Sequence, residues 1–143
     1  MLLDASVRAQ IVDAAERAAP DECCGLLIGD AQAIVQAWPA RNRAAEPRRR
    51  YDLDPADHFA AIREARRQGL DVVGCYHSHP QSTALPSPTD VAEGLPDFLY
   101  VIAGRASGER SWTLGAFRLD AVHFVPVGLV STPQGQQAGG VNP

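Results

Sequence analysis

His77-Ser78-His79-Pro80 is followed closely by Ser87-Pro88-Thr89-Asp90, and these side chains are the types that hold metal ions. In a strand, residues two apart share a face, so His77 and His79 project together while Ser78 points away. Paired imidazoles supply nitrogen donors of the borderline softness that zinc favours. Asp90 supplies a third, carboxylate donor and leaves a fourth position free for water. Such a mixed set is of the open, catalytic kind rather than the closed, structural kind.

Each part also has a plainer reading. A lone His-x-His can be two polar residues on an exposed strand face. Ser87 and Asp90 can be only a capping box, with Pro88 in the first turn of a short helix. The two readings of Asp90 are compatible, because a capped helix start holds its carboxylate rigidly. Glu22, immediately before the apolar run 23–29, reads by itself as a carboxylate at a helix–strand junction.

The elements that must position these groups follow from periodicity and turn residues. Val7, Ile11, Ala14, Ala15 and Ala18 predict a helix over 6–19, capped by Asp4 or Ser6 and ended by Pro20. CCGLLIG (23–29) predicts a buried strand, AIVQAW (33–38) its hairpin partner, and Pro39 to Arg50 an exposed loop. Asp54 and Pro55 open a second helix that presents Phe59, Ile62 and Ala65 or Arg66 on one face and closes at Gly69. Strands are predicted at 71–79, 98–104, 111–117 and 121–127, with a short helix from Ser87 to about Gly94. The order predicts a single α/β (α+β mixed) domain over 1–130 with one central sheet, and a disordered tail over 131–143.

The string HSHPQSTALPSPTD, preceded at a distance by ECCGLLIG, resembles the JAMM (MPN-plus) zinc metalloprotease motif, E…H-x-H-x10-D with a serine three residues before the aspartate. All five positions are filled, by Glu22, His77, His79, Ser87 and Asp90. The likeness takes in YDLDPADHFAAIREARRQGLDVVGCYHSHP and extends over most of residues 1–127, in the compact form of the prokaryotic branch. It implies a cytidine-deaminase-like fold, a curved sheet between helices. It also implies one Zn2+ with a bound water on His77, His79 and Asp90, Glu22 as general acid/base, and Ser87 as hydrogen-bond donor to the oxyanion. The implied substrate is a ubiquitin-like or sulfur-carrier protein, cleaved after its C-terminal tail. That tail could pair with an exposed strand edge, and the Arg41–Arg50 loop could meet an acidic carrier. Two other classes remain open, a non-catalytic MPN-type scaffold or metal-binding module and a zinc deaminase-like hydrolase. The deaminase motif needs H-x-E and P-C-x-x-C, whereas residue 79 is His and the chain has no C-x-x-C.

Composition narrows the partners. The 143 residues carry a net charge of −4, which argues against a general nucleic-acid binder. No apolar run approaches the roughly 20 residues that span a bilayer, and the N-terminus lacks a basic start with an apolar stretch. A cytoplasmic protein without membrane or nucleic-acid partners is the expectation. Cys23, Cys24 and Cys75 read as free, buried, small apolar residues. Trp38 and Trp112 read as packing residues, and His58 and His123 receive no role.

Overall fold

Helix α1 (Ala5–Ala18) starts where the Asp4 carboxylate accepts the Ser6 backbone N–H at 2.8 Å, so Asp4 is the cap. Val7, Ile11 and Ala15 are the residues it buries, the expected stripe. Helix α2 (Pro55–Arg67) begins at Asp54, whose carboxylate accepts the N–H groups of Ala56 and Asp57. Gly69, at φ 71°, lies just beyond its end. The predicted face of α2 holds at Ala65, which is buried together with Ala61, but is corrected at Phe59, which is 63% exposed. Small residues let the helix backbone sit close to the sheet. Phe59, two residues from Ala61, is thereby turned about 200° away from it.

The computed structural model describes residues 1–120 and 123–133. Its strands are β1 (Leu2–Asp4), β2 (Cys24–Gly29), β3 (Ala33–Ala40), β4 (Asp71–His79), β5 (Leu99–Gly104), β6 (Thr113–Asp120), β7 (His123–Val127) and β8 (Val130–Thr132). A short helix, α3 (Pro88–Glu93), lies between β4 and β5. They form one eight-stranded mixed sheet in the order β7-β6-β5-β4-β2-β3-β1-β8. β2 and β3 are the expected antiparallel hairpin, and β4 runs antiparallel to β2 and parallel to β5.

Alternation divides the central strands between two cores. Leu27 and Tyr76 pack with α1 residues Val7, Ile11 and Ala15 on one face. Leu26 and Cys75 pack with Ala61 of α2 on the other. The helices therefore cover opposite faces of a mixed α/β sheet, as the sequence predicts.

Two differences lie at the far edge. β1 was not expected, and it pairs in parallel with both β3 and β8. Ser131 and Thr132, placed in the tail by composition, belong to β8; residues 134–143 lie outside the described residues. The strand near 111–117 is shifted to Thr113–Asp120, because it pairs with β5 on one side and β7 on the other. No helix among the described residues is long and apolar enough to cross a membrane.

Candidate metal centre

The sequence of β4 puts Cys75, His77 and His79 on the α2 side and Tyr76 and Ser78 on the α1 side. In the β2–β4 register Cys24 lies opposite His77. Continued by two residues, that register brings Glu22 opposite His79. Ser78 secures this placement from the other face: its Oγ accepts the Cys23 N–H at 2.8 Å, and its own N–H donates to the Cys23 carbonyl. Glu22, His77 and His79 are all buried, and each has a donor atom within 4.8 Å of the other two. The ring of Tyr51 stacks on His77 with centroids 4.3 Å apart.

Asp90 arrives from α3. Its Oδ2 lies 3.1 Å from His77 Nε2 and 3.3 Å from His79 Nε2, and the two imidazole nitrogens are 3.2 Å apart. The capping box is real as well. Ser87 Oγ accepts the Asp90 N–H at 3.1 Å, and Asp90 Oδ2 accepts the Ser87 N–H at 2.9 Å. One carboxylate oxygen therefore closes the helix start and faces both histidines.

The second nitrogen of each ring is treated differently. His79 Nδ1 donates to the Thr83 carbonyl at 3.0 Å, so Nε2 is the nitrogen that faces Asp90 and His77 and that becomes available to a metal ion once it is unprotonated. His77 Nδ1 is buried with no hydrogen-bond partner. Thr83 reaches His79 because the loop after β4 lies flat on Gly104 at the end of β5; a Cβ there would collide with the backbone of Thr83 and Ala84.

Burial sets the protonation states. It pushes the Glu22 carboxyl up to about 7, the His79 charge opposing and the Asp90 charge adding to that rise. It pushes His77 down, toward the neutral form that can ligate, against the pull of Asp90. For Asp90 burial also opposes the charge, but hydrogen bonds with His77 and His79 outweigh it and hold the carboxyl far below its usual range. For His79 the balance is similar: burial disfavours the cation, yet Asp90 and the Thr83 carbonyl raise its pKa overall.

The donor set fits a divalent metal ion. Ligands about 2.0–2.1 Å from a tetrahedral centre lie roughly 3.3–3.4 Å from one another, and the triangle of His77, His79 and Asp90 has edges of 3.1–3.3 Å. Two neutral nitrogens and one oxygen are donors that a transition ion accepts. Glu22 stands beside this triangle with its Oε1 buried and unpartnered.

All five residues predicted for the site are thus gathered at one place. Glu22, His79 and Ser87 line a cleft of about 460 Å³. His58 lies apart, in a separate groove beside α2, and His123 is in β7, three strands from β4. Trp112 packs in the α1-side core with its indole N–H donating to Glu16 at 2.7 Å, and Trp38 packs on the α2 side. The three cysteines are free, with Cys24 and Cys75 buried and Cys23 half-buried. Among the described residues, the edge strands of the sheet are β7 and β8.

Three supporting residues were not foreseen. Thr83 acts through a carbonyl and Tyr51 through ring stacking, and neither carries a sequence signal. Asn42 organises the loop after β3, donating to the carbonyls of Glu22 and Arg50 and accepting from the N–H groups of Ala44 and Asp52. Asn in a loop is a recognised sign of such side-chain-to-backbone bonding, but its partners are invisible locally.

The sheet, its two helices and the crossing through α3 are the fold of JAB1/MPN domain proteins. One such protein from Archaeoglobus fulgidus superposes with a TM-score of 0.55 at 21% identity, over 91% of this chain and 99% of that one. A protein of Desulfitobacterium hafniense, solved in solution, superposes with a TM-score of 0.83 at 23% identity, over 94% of each chain. Residues 4–115 match the prokaryotic homologs of the JAB domain, and this chain belongs to that family. Among its relatives, the desampylase of Haloferax volcanii is 41% identical over 69% of this chain and 75% of its own length. A probable TtuB-protein conjugate cleaving protease of Thermus thermophilus is 37% identical over 68% of this chain and 65% of its own. The CysO-cysteine peptidase of Mycobacterium tuberculosis is 32% identical over 87% and 90%.

Proposed function

We propose that this protein is a zinc-dependent peptidase that hydrolyses the bond following the C-terminal tail of a ubiquitin-like or sulfur-carrier protein. The observation that carries the reading is the triangle of His77, His79 and Asp90 with the buried carboxyl of Glu22 at its side. The names of the three relatives, each a protease, peptidase or desampylase, agree in supporting conjugate cleavage.

His77, His79 and Asp90 would hold a zinc ion, which would supply a Lewis acid and a water of pKa lowered toward 7. Glu22 Oε1, free of other partners, takes a proton from the attacking water and returns it to the leaving nitrogen. Its raised pKa suits both duties near neutral pH. Ser87 Oγ accepts from the Asp90 N–H, so its own O–H remains to donate to the carbonyl oxygen as negative charge develops there. Thr83 keeps the His79 tautomer, and Ser78 keeps Glu22 opposite His79.

A second reading rests on the same closeness of Glu22. If Glu22 itself ligates, four protein ligands make the closed, structural kind of site, and the chain is a metal-binding module. Glu22→Gln separates the two. For the peptidase, the variant keeps one zinc per chain and loses at least about 10²-fold in hydrolysis of a carrier-tail conjugate. Zinc is read by native mass and cleavage by intact mass, with and without chelator. Unchanged turnover, or loss of the metal itself, would sink the general-base assignment.

A further inference from the structure

The arginines between positions 41 and 50 fall into separate groups in space. Arg41 and Arg43 are committed to the start of α2: Arg43 meets the buried Asp54 carboxylate at 3.0 Å, and Arg41 lies 3.6 Å from Asp54 and 3.4 Å from Asp57. Arg48 and Arg49 instead line the cleft that holds Glu22, His79 and Ser87. Their nearest carboxylates, Asp21 and Glu46, stand at 4.0 Å, beyond hydrogen-bond reach. Both side chains are largely exposed and free to turn toward a ligand.

Their backbone is not free. Pro47 sits in a tight turn in which the Glu46 carbonyl accepts the N–H groups of Arg49 and Arg50 at 3.0 and 3.1 Å. The Pro47 carbonyl accepts the Glu22 N–H at 2.8 Å, and the Asn42 side chain ties the Glu22 carbonyl to that of Arg50. The arginine turn is thus fastened to the residue that carries the proton. In peptide hydrolysis the general acid delivers its proton to the leaving nitrogen. Groups fastened beside Glu22 therefore border the leaving amine.

We propose that Arg48 and Arg49 form a carboxylate-binding subsite for the leaving group. On this assignment, which rests on the peptidase reading, the preferred substrate is a carrier whose tail is joined by an ordinary peptide bond to a single terminal amino acid. The free α-carboxylate of that residue lies beside the scissile nitrogen and accepts hydrogen bonds from the two guanidinium groups. A lysine side-chain isopeptide offers no charge there. One exposed ion pair contributes little; two converging on one carboxylate give a preference of about tenfold.

The test compares acetyl-Gly-Gly-Gly with its C-terminal amide, titrated calorimetrically into zinc-loaded, full-length Glu22→Gln protein, which holds ligand without turnover. The acid is expected to bind about tenfold more tightly. Adding Arg48→Gln and Arg49→Gln brings the ratio to about one, whereas Arg50→Gln leaves it unchanged. Equal binding of acid and amide, or a preference that survives the double substitution, overturns the proposal. In a second arm, wild-type protein cleaves a carrier tail from a terminal glycine faster than from a lysine side chain, and the double variant loses that difference. A double variant that slows both conjugates equally means that the arginines meet the carrier surface, and it also overturns the proposal. Failure of wild-type protein to cleave either conjugate, with the acid preference in binding intact, removes the peptidase reading and leaves the subsite standing.

Discussion

Glu22 is where burial and chemistry meet most directly. Its carboxyl loses solvent just before the start of β2 and is pushed up to about 7, from an ordinary 4.5. Between those values the folded protein keeps a proton that the unfolded chain has already released. Stability therefore falls as pH rises through that window, and above pH 7 the full loss is on the order of 3 kcal/mol. Below pH 4.5 it vanishes. Metal-free Glu22→Gln protein is accordingly expected to be more stable than wild type at pH 8 and to converge with it at pH 4. Urea midpoints measured in chelator check this; equal midpoints at pH 8 would show that Glu22 carries no buried charge. The same burial lets one side chain be a strong enough base and still a usable acid near neutrality.

At the scale of elements, the loop from Pro80 to Pro86 and the start of α3 act as one bracket. The capping box of Ser87 and Asp90 fixes one end, and the Thr83 carbonyl on His79 fixes the other. The bracket can lie against the sheet only because β5 ends in a glycine. Gly104→Ala forces the backbone of Thr83 and Ala84 away, so His79 loses the bond that sets its tautomer. Loss of such an outer partner typically weakens metal binding 10- to 100-fold. That range is the expectation for zinc affinity by chelator competition, with the far-ultraviolet spectrum unchanged. Wild-type affinity in a folded variant would mean that the loop does not orient His79.

Across the whole molecule, the ligands come from the end of β4 and the start of α3 and Glu22 from just before β2, and they meet only once the sheet is in register. An unfolded chain has no such site, so metal binding stabilises the native state by mass action. At zinc concentrations about 100 times its dissociation constant the gain is about 2.7 kcal/mol. For a chain of this size that raises the melting temperature by roughly 5–10 °C. The two cores lie on either side of the sheet and do not depend on the centre. Chelated protein should therefore keep a cooperative transition. A scan unmoved by zinc would remove the metal centre from the account.

What was legible in the sequence was local. The paired histidines follow from strand alternation over three residues, the Ser87–Asp90 box from the first turn of a helix, and the start of α2 from Asp54 and Pro55. Each rests on contacts within a few positions along the chain, so residue type and spacing suffice. The residues that complete the site depend on register between distant segments. Glu22 faces His79 only because β2 and β4 pair as they do and Ser78 locks Cys23. β1 and β8, three residues each, exist by pairing in parallel across the length of the chain. Hydrophobicity ranks Phe59 above alanine and so predicts the wrong face of α2 at that position, whereas the close approach of helix to sheet favours the small side chains of Ala61 and Ala65. Likewise, a run of arginines reads as one basic loop, and only the folded chain separates Arg41 and Arg43, paired with the Asp54 carboxylate that caps α2, from Arg48 and Arg49 at the cleft. The sequence by itself therefore determined which groups could bind a metal. The tertiary structure decided which of them share a buried, low-dielectric site, because burial and register are properties of the packed chain rather than of any segment of it.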